Sequence, residues 1–241
     1  MIVVPCYNEA ARLDVSRFAE YAAGAEGVEL LFVDDGSTDA TADLLAGLVL
    51  RMPGRIRALR LAANQGKSGA VRAGVLEALA GNAVFVGFWD ADLATPLSAV
   101  GRFVSALEAR PTLLGAIGAR VKLMGTMIER SAARHYLGRL FATAASLVLG
   151  LAVYDTQCGA KLFRVNDTIR EIFGRPFLSR WIFDVEIIAR FVQLRGRAAA
   201  TGAIYELPLR VWHDVQGSKL RSTDFLRALR DLWKIRRAYK R

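Results

Sequence analysis

Residues 83–92 read AVFVGFWDAD and decide the fold, because an apolar run ends there in two aspartates separated by one alanine. The run at residues 83–89 is apolar throughout, which predicts a strand that is buried on both faces of a sheet. Ligands of parallel sheets bind beyond the carboxyl ends of the strands. We therefore expect Asp90 and Asp92 to stand at the mouth of a binding cleft.

Apolar runs and helical patterns alternate before this strand. Strands are predicted at residues 1–4, 28–33 and 56–61, and helices at residues 13–23, 38–50 and 68–79. The second half is less regular, with helices predicted at residues 131–149 and 183–194 and strands at residues 160–165 and 203–207. The alternation predicts an α/β fold with a mostly parallel, Rossmann-like sheet and helices on both faces.

Composition excludes several classes of protein. The 241 residues, 53% of them hydrophobic and 23% charged, suit one sizeable folded unit rather than a disordered chain. The longest apolar run, residues 141–154, is shorter than the roughly 20 residues that cross a bilayer. Two cysteines are too few for a disulfide scaffold, and no signal peptide is recognisable, so we expect a cytoplasmic protein. Two histidines argue against a histidine-built zinc site.

The net charge of +10 is concentrated at the C-terminus. Residues 217–241 carry nine lysines or arginines against two aspartates, which is a net charge of +7. We expect residues 1–216 to form the folded domain and residues 217–241 a basic, amphipathic helical tail. Such a tail suits an anionic membrane surface, a nucleic acid or simply solvent.

Polar side chains follow each of the first four predicted strands, in the segments PCYNE (5–9), DDGS (34–37), NQGK (64–67) and DAD (90–92). The two carboxylates of the last segment can reach one Mg²⁺ or Mn²⁺ ion, whereas helix capping would use only one of them. The glycine and lysine of NQGK suit a phosphate before a helix, although the spacing is not that of a P-loop. The excess acid of DDGS suits ribose hydroxyls or a base N–H.

Seven motifs occur in order along nearly the whole chain. They are P-x-Y-N-E from Pro5, V-D-D-G-S-x-D from Val33, N-x-G-K from Asn64, W-D-A-D-L-A-T-P from Trp89, D-T-Q-C-G-x-K-L-F from Asp155, R-W-x-F-D-V-E from Arg180 and G-S-K-L from Gly217. In this combination the chain resembles the family 2 glycosyltransferases of the GT-A fold. Within that family it is most similar to polyprenyl-phosphate, or dolichyl-phosphate, β-glucosyltransferases and to the related mannosyltransferases.

The resemblance implies transfer of a hexose, with inversion, from a nucleotide diphosphate sugar to a polyprenyl phosphate. It implies that the nucleotide sugar is bound by Pro5, Tyr7, Glu9, Asp34, Asp35, Lys67 and Asp90, and the metal by Asp90 and Asp92. Leu93 stands where the mannosyltransferases have a glutamine, which favours UDP-glucose over GDP-mannose. A GDP-mannose donor and a soluble saccharide acceptor are the alternatives.

Asp155 matches the aspartate at the reaction centre of these enzymes. Since a phosphate acceptor, with a second pKa of about 6, is largely ionised at neutral pH, we expect Asp155 to orient rather than to deprotonate. Cations must bring the two anionic substrates together. The resemblance and the charge pattern give Arg120, Arg130 and Arg134 at the reaction centre, and Arg130, Arg134 and Lys219 for the acceptor phosphate; a solvated basic face is the alternative for each arginine.

Asp184 and Glu186 are expected to pair with the nearby Arg180 and are the second choice for a catalytic base.

An acceptor of this kind would place the protein peripherally on the inner face of an anionic membrane. Two apolar stripes suit that contact: Leu137, Leu140, Phe141 and Leu147 in the first, and Phe225, Leu229, Leu232 and Trp233 in the tail. Packing against the domain is the alternative use of either stripe. A nucleic-acid-binding protein is the rival of a different class, but we expect no nucleic acid, since the acidic loops would repel a phosphate backbone. The oligomeric state stays open.

Overall fold

The computed structural model describes residues 1–129, 131–215 and 222–239. The strands are β1 (Ile2–Cys6), β2 (Leu30–Asp34), β3 (Ile56–Arg60), β4 (Phe85–Trp89), β5 (Gly115–Ala119), β6 (Met127–Ile128), β7 (Ala160–Arg164), β8 (Ile204–Pro208) and β9 (Val211–Trp212). The helices are α1 (Val15–Gly24), α2 (Thr41–Arg51), α3 (Lys67–Ala80), α4 (Val100–Glu108), α5 (Ala132–Leu149), α6 (Asp167–Gly174), α7 (Phe183–Arg195), α8 (Arg197–Ala203) and α9 (Ser222–Tyr239).

The main sheet has the strand order β3-β2-β1-β4-β7-β5-β8. Only β7 runs antiparallel to its neighbours among the strands of this sheet, so the predicted α/β fold with a mostly parallel sheet is confirmed. The chain winds outward from β1 to β3 and returns to the other side of β1 with β4. This reversal opens a crevice beyond the carboxyl ends of β1 and β4, the place where such sheets bind ligands.

Helices cover both faces of the sheet, which explains the unbroken apolar runs of the first strands. In β1, Ile2 and Val4 belong to a core formed with α1, α2 and α4. Val3, which lies between them, belongs to a core on the opposite face that is formed with α3, α6, α7 and α8. Apolar side chains therefore suit both faces of β1.

A third core joins α5, α7 and α9. It contains Phe141 from α5, Ile188 from α7, and Leu232 and Ile235 from α9. The C-terminal helix is thus packed on the domain along one face. The apolar stripe predicted in the tail is divided: Leu232 is buried, Leu229 and Trp233 are exposed, and the side chain of Phe225 lies outside the described residues.

Several elements carry too weak a sequence pattern to have been predicted, namely α6, α8, β5 and the two-stranded parallel sheet of β6 and β9. The strand β5 is the clearest case, since its sequence GAIGA contains residues of low strand propensity. A Cβ atom on Gly118 would lie 2.7 Å from the Cys158 sulfur, so close packing decides these small residues. No helix within the described ranges is long and apolar enough to span a membrane.

Candidate active site

The loops after β1 and β2 are bonded to each other at one side of the crevice. Asn8 takes the left-handed backbone conformation, with φ 51°, and its side-chain oxygen accepts a hydrogen bond from the Thr38 N–H at 2.9 Å. The Asn8 N–H donates to the Ser37 hydroxyl at 3.0 Å, and the Glu9 N–H donates to the Thr41 hydroxyl at 2.8 Å. The predicted nucleotide-binding segments 5–9 and 34–37 are therefore one structural unit.

The predicted nucleotide-binding residues of this unit differ in how their side chains are used. Pro5 lies in β1 opposite Val33, and Tyr7 is 38% exposed. Glu9 is paired with Arg12, the closest atoms being 2.6 Å apart. The buried Asp34 accepts a hydrogen bond from the Ser37 N–H at 2.9 Å.

The next loop, residues 64–66, is held from two sides. The Asp35 carboxylate accepts hydrogen bonds from the N–H groups of Gln65 and Gly66, at 2.7 and 2.8 Å. Burial raises the pKa of Asp35, and these two bonds partly oppose that rise. From the other side, Arg180 donates to the carbonyl oxygens of Asn64 and Gln65, at 2.9 and 3.0 Å. The loop thereby fixes the position of Lys67, the first residue of α3.

Lys67 and the two aspartates of the DAD motif meet at the mouth of the crevice. The Lys67 ammonium lies 2.5 Å from Oδ1 of Asp90. Asp92 accepts a hydrogen bond from the Ala94 N–H at 3.1 Å, and Leu93, with φ 54°, turns the chain between them. A left-handed conformation is strained for a leucine, and such strain is typical of functional loops.

The electrostatics of this cluster suit a hard divalent cation. Burial raises the pKa of Asp92, and the neighbouring Asp90 raises it further. Burial opposes the charge on Lys67, but Asp90 and Asp184 outweigh it, so the pKa of Lys67 is raised. Two crowded carboxylates are the ligands that Mg²⁺ or Mn²⁺ prefers. No three His, Cys, Asp or Glu side chains form a metal-sized group in the described part of the chain, so a cation here would need substrate oxygens as well.

Arg120 and Asp155, which the sequence predicts at the reaction centre, form a two-point ion pair. Nε of Arg120 lies 2.6 Å from one carboxylate oxygen of Asp155 and Nη2 lies 2.8 Å from the other. The Arg120 backbone N–H and the Gln157 N–H donate to the same carboxylate, each at 3.1 Å. Glu206 in turn accepts from the N–H groups of Tyr154 and Asp155, at 2.9 and 2.8 Å. Burial opposes the Arg120 charge, but Asp155 raises the pKa of that guanidinium well above its usual range.

Residues 155–159 connect this ion pair to the DAD cluster. Gly159 closes the segment, and its carbonyl oxygen accepts a hydrogen bond from the Asp90 N–H at 3.1 Å. A Cβ atom on Gly159 would lie 1.9 Å from Oδ2 of Asp90, so only glycine admits that carboxylate. Asp90 also contributes to the raised pKa of Arg120. The structure thus brings the Arg120–Asp155 pair and the DAD cluster together.

The other predicted cations fall where side chains are not described. Arg130 and Lys219 lie outside the described residues. Arg134 lies in α5, but its side chain is also outside them.

The predicted pairing of Asp184 and Glu186 with Arg180 was wrong. Asp184 pairs with the buried Lys161, and Glu186 pairs with Arg190 at 2.7 Å. Because α7 turns both carboxylates into the core, neither contacts Arg180, which binds loop 64–66 instead. The role of Arg180 was missed, although the R-W-x-F-D-V-E motif contains it, because nothing in a sequence shows that this motif meets a loop 115 residues away.

Comparison with known proteins identifies the family to which the chain belongs. The family model described as "Glycosyl transferase family 2" matches residues 1–170. The chain is 32% identical over 261 residues to dolichyl-phosphate beta-glucosyltransferase of Saccharomyces cerevisiae, covering 99% of this chain and 74% of the relative. It is 34% identical over 250 residues to the protein of that name in Drosophila melanogaster, covering 97% and 73%.

Solved structures support the fold. Glucosyl-3-phosphoglycerate synthase from Mycobacterium tuberculosis in complex with UDP superposes with a TM-score of 0.65 at 18% identity, covering 98% of this chain and 79% of the other. The same synthase with Mn²⁺, UDP-glucose and phosphoglyceric acid gives a TM-score of 0.65 at 17% identity, covering 97% and 77%. The predicted GT-A fold is confirmed. Together with the family match, these findings establish that the chain is a glycosyltransferase and belongs to glycosyltransferase family 2.

Proposed function

We propose that this protein transfers glucose, with inversion, from UDP-glucose to the phosphate of a polyprenyl phosphate. One observation carries the proposal: a cluster suited to a sugar diphosphate (Lys67, Asp90 and Asp92) and the Arg120–Asp155 pair meet in one crevice, joined by residues 155–159. The curated relatives, which are named as dolichyl-phosphate glucosyltransferases, support the choice of donor sugar and acceptor.

The donor is bound along the carboxyl ends of the strands. Pro5, Tyr7, Glu9 and Asp34 surround the nucleoside, and Asp35 shapes the same pocket through its bonds to loop 64–66. Lys67, beside Asp90, faces the diphosphate, because α3 begins there and a helix N-terminus favours an anion. Leu93 in place of the mannosyltransferases' glutamine favours UDP-glucose over GDP-mannose.

Asp90 and Asp92 would hold Mg²⁺ or Mn²⁺. Their carboxylates fit such an ion, since burial and then the neighbouring Asp90 raise the pKa of Asp92, and a cation would offset both effects. When bound, the ion would neutralise negative charge on the leaving diphosphate.

The transfer needs no strong base. An oxygen of the ionised acceptor phosphate forms the new bond to the anomeric carbon while the bond from that carbon to UDP breaks, and UDP leaves with the electron pair. Asp155 holds Arg120 at two points, so that the guanidinium is fixed in place before the acceptor arrives. Arg120 thereby orients the attacking phosphate, and Arg130, Arg134 and Lys219 add positive charge for it.

A lipid-linked acceptor requires contact with a membrane, which we assign to the inner face of an anionic membrane. Among the described side chains of α5, the exposed large apolar ones are Tyr136, Leu137, Leu140 and Leu147. The exposed apolar residues Leu229 and Trp233 of α9 lie among Arg230, Lys234 and Arg237. Each Lys or Arg near an anionic leaflet contributes about 1 kcal/mol.

The test is incubation with Mg²⁺, a polyprenyl phosphate and a panel of labelled nucleotide sugars, followed by counting label in the organic phase. Label from UDP-glucose that is lost in Asp92→Asn supports the proposal. Label from GDP-mannose instead would change the donor. Label that stays in water as a new saccharide product would change the acceptor, and no product from any donor would overturn the proposal.

A further inference from the structure

The turn that joins β5 to β6 exposes three large apolar side chains. In residues 122–127, the apolar turn, Leu123 is 52% exposed, Met127 is 59% exposed and Met124 is fully exposed. Scattered single apolar residues are ordinary on a surface. Three within five residues form a patch, and such patches mark contact with a partner or a membrane.

Several polar groups of the apolar turn are hydrogen-bonded within the turn or to the segment before β9. The Leu123 carbonyl oxygen accepts hydrogen bonds from the Thr126 N–H at 3.1 Å and from its hydroxyl at 2.7 Å. The Leu123 N–H donates to the same hydroxyl at 2.9 Å, and the Met127 N–H donates to the Arg210 carbonyl oxygen at 2.8 Å. These polar groups would keep their partners in an apolar medium, so inserting them would cost little desolvation.

Both ends of the apolar turn rest on the reaction centre. Arg120, two residues before Lys122, is bound to Asp155, and its guanidinium lies over the Trp212 ring at 5.3 Å. Trp212 belongs to β9, whose partner strand β6 begins with Met127, the last residue of the turn. The position of the three apolar side chains is therefore fixed relative to the Arg120–Asp155 pair.

We propose that the apolar turn inserts Leu123, Met124 and Met127 into the interfacial layer of an anionic phospholipid bilayer, beside the reaction centre. The inference rests on the proposed function, because a lipid-linked phosphate is presented at that surface. It adds a third contact with the membrane to those assigned above to α5 and α9.

Size and charge favour a bilayer over a protein partner. A stable protein interface needs about 20–30 residues on each side, far more than this turn offers. A bilayer accepts a few protruding side chains. The exposed Lys122 and the net charge of +10 suit an anionic surface.

The depth of the apolar turn can be measured with an environment-sensitive fluorophore on Met124→Cys. Cys6 and Cys158 are both buried, so the label is directed to position 124. Vesicles of phosphatidylcholine and phosphatidylglycerol should shift the emission to shorter wavelength. The matched control is Leu50→Cys, which replaces an apolar residue that is 82% exposed in α2, and its emission should not shift.

A binding measurement tests the same contact without a label. The double variant Leu123→Ser with Met124→Ser should bind these vesicles about tenfold more weakly, because apolar surface is lost from the contact. Leu50→Ser should bind as the wild type does. The melting temperature of all three proteins should agree, since the changed side chains are exposed.

Two results would overturn the inference. The first is an emission from the label at position 124 that does not shift when vesicles are added. The second is an emission shift without lipid that accompanies a doubling of the molecular mass, which would assign the turn to contact with a second copy of the chain. A short-chain, water-soluble prenyl phosphate separates the inference from the proposed function. The double variant should keep transfer to that acceptor and show reduced transfer to a long-chain acceptor in vesicles. If neither the wild type nor any variant transfers label to an acceptor but the emission shift at position 124 persists, the proposed function is wrong and the inferred insertion stands.

Discussion

At the scale of single residues, the site depends on close approach. The Asp90 carboxylate packs over Gly159, where a side chain would occupy its place. That contact joins the cluster of Lys67, Asp90 and Asp92 to the segment that carries Asp155. Glycine is needed here for space alone, since its backbone φ is not in the left-handed region.

Gly159→Ala should displace Asp90 and lower kcat/KM by about 100-fold, the effect of a misplacement of about 1 Å. The matched control is Gly101→Ala in α4, where a Cβ atom meets nothing within 4 Å. That variant should be as active as the wild type and slightly more stable, because alanine is the better helix former. Steady-state kinetics and thermal melting of both variants are the measurements. Wild-type kinetics in Gly159→Ala would contradict the role given to this contact.

Asp92→Asn should lower kcat/KM by about 10³-fold, since it removes a metal ligand without changing the side-chain volume. The wild type should melt at a higher temperature when Mg²⁺ and UDP are added together, and the variant should not. Asp167→Asn in α6 is an exposed control that should keep both properties. Near-normal activity of Asp92→Asn at saturating Mg²⁺ would remove this residue from the metal site.

At the scale of elements, loop 64–66 is positioned by contacts from distant parts of the chain. Asp35 holds it from the end of β2, and Arg180 holds it from the segment before α7. A Cβ atom on Gly66, which has φ 81°, would lie 2.7 Å from Nε of Arg180. The loop therefore has space for the Arg180 side chain only because residue 66 is glycine. Lys67 is the next residue along the chain.

Arg180→Ala should raise the KM for the nucleotide sugar about tenfold, because hydrogen bonds from a charged donor to the loop are lost. The kcat should change little, since Arg180 acts through the position of Lys67 rather than on the reacting atoms. The control is Arg175→Ala on the same segment, whose exposed side chain lies 3.8 Å from Glu171. An unchanged KM in Arg180→Ala, or a loss confined to kcat, would contradict this assignment.

At the scale of the whole molecule, the C-terminal helix packs against α5 and α7. Ile235 is fully buried in the core shared with α5 and α7. The Tyr239 hydroxyl donates to Glu186 at 2.8 Å, and the Ser179 hydroxyl donates to Asp231 at 2.8 Å. The helix therefore supports the segment that carries Arg180, while its other face presents Trp233 to the surroundings.

Ile235→Ala should lower the free energy of unfolding by about 2–5 kcal/mol, the cost of emptying a core position. In a chain of this size each kcal/mol lowers the melting temperature by ~2–4 °C. Trp233 lies on the other face of α9 and is 58% exposed. Trp233→Ala should therefore leave the melting temperature unchanged and weaken binding to anionic vesicles. Equal stability of the two variants would show that α9 is a separable tail.

The sequence by itself determined the α/β class, the order of the first seven elements and the carboxylates at the strand ends. These follow from local patterns, because a strand buried on both faces needs an unbroken apolar run and a parallel sheet places polar ends together. The motifs also identified the glycosyltransferase family.

Only the tertiary structure decided which charges meet. Arg120 with Asp155, Arg180 with loop 64–66 and Asp184 with Lys161 join residues between 23 and 116 positions apart. Spacing along a chain carries no information about such pairs, since they depend on how the sheet is ordered. The strand β5 and the burial of Leu232 in α9 were decided in the same way, because packing of a glycine-rich strand or an amphipathic helix depends on the partner surface.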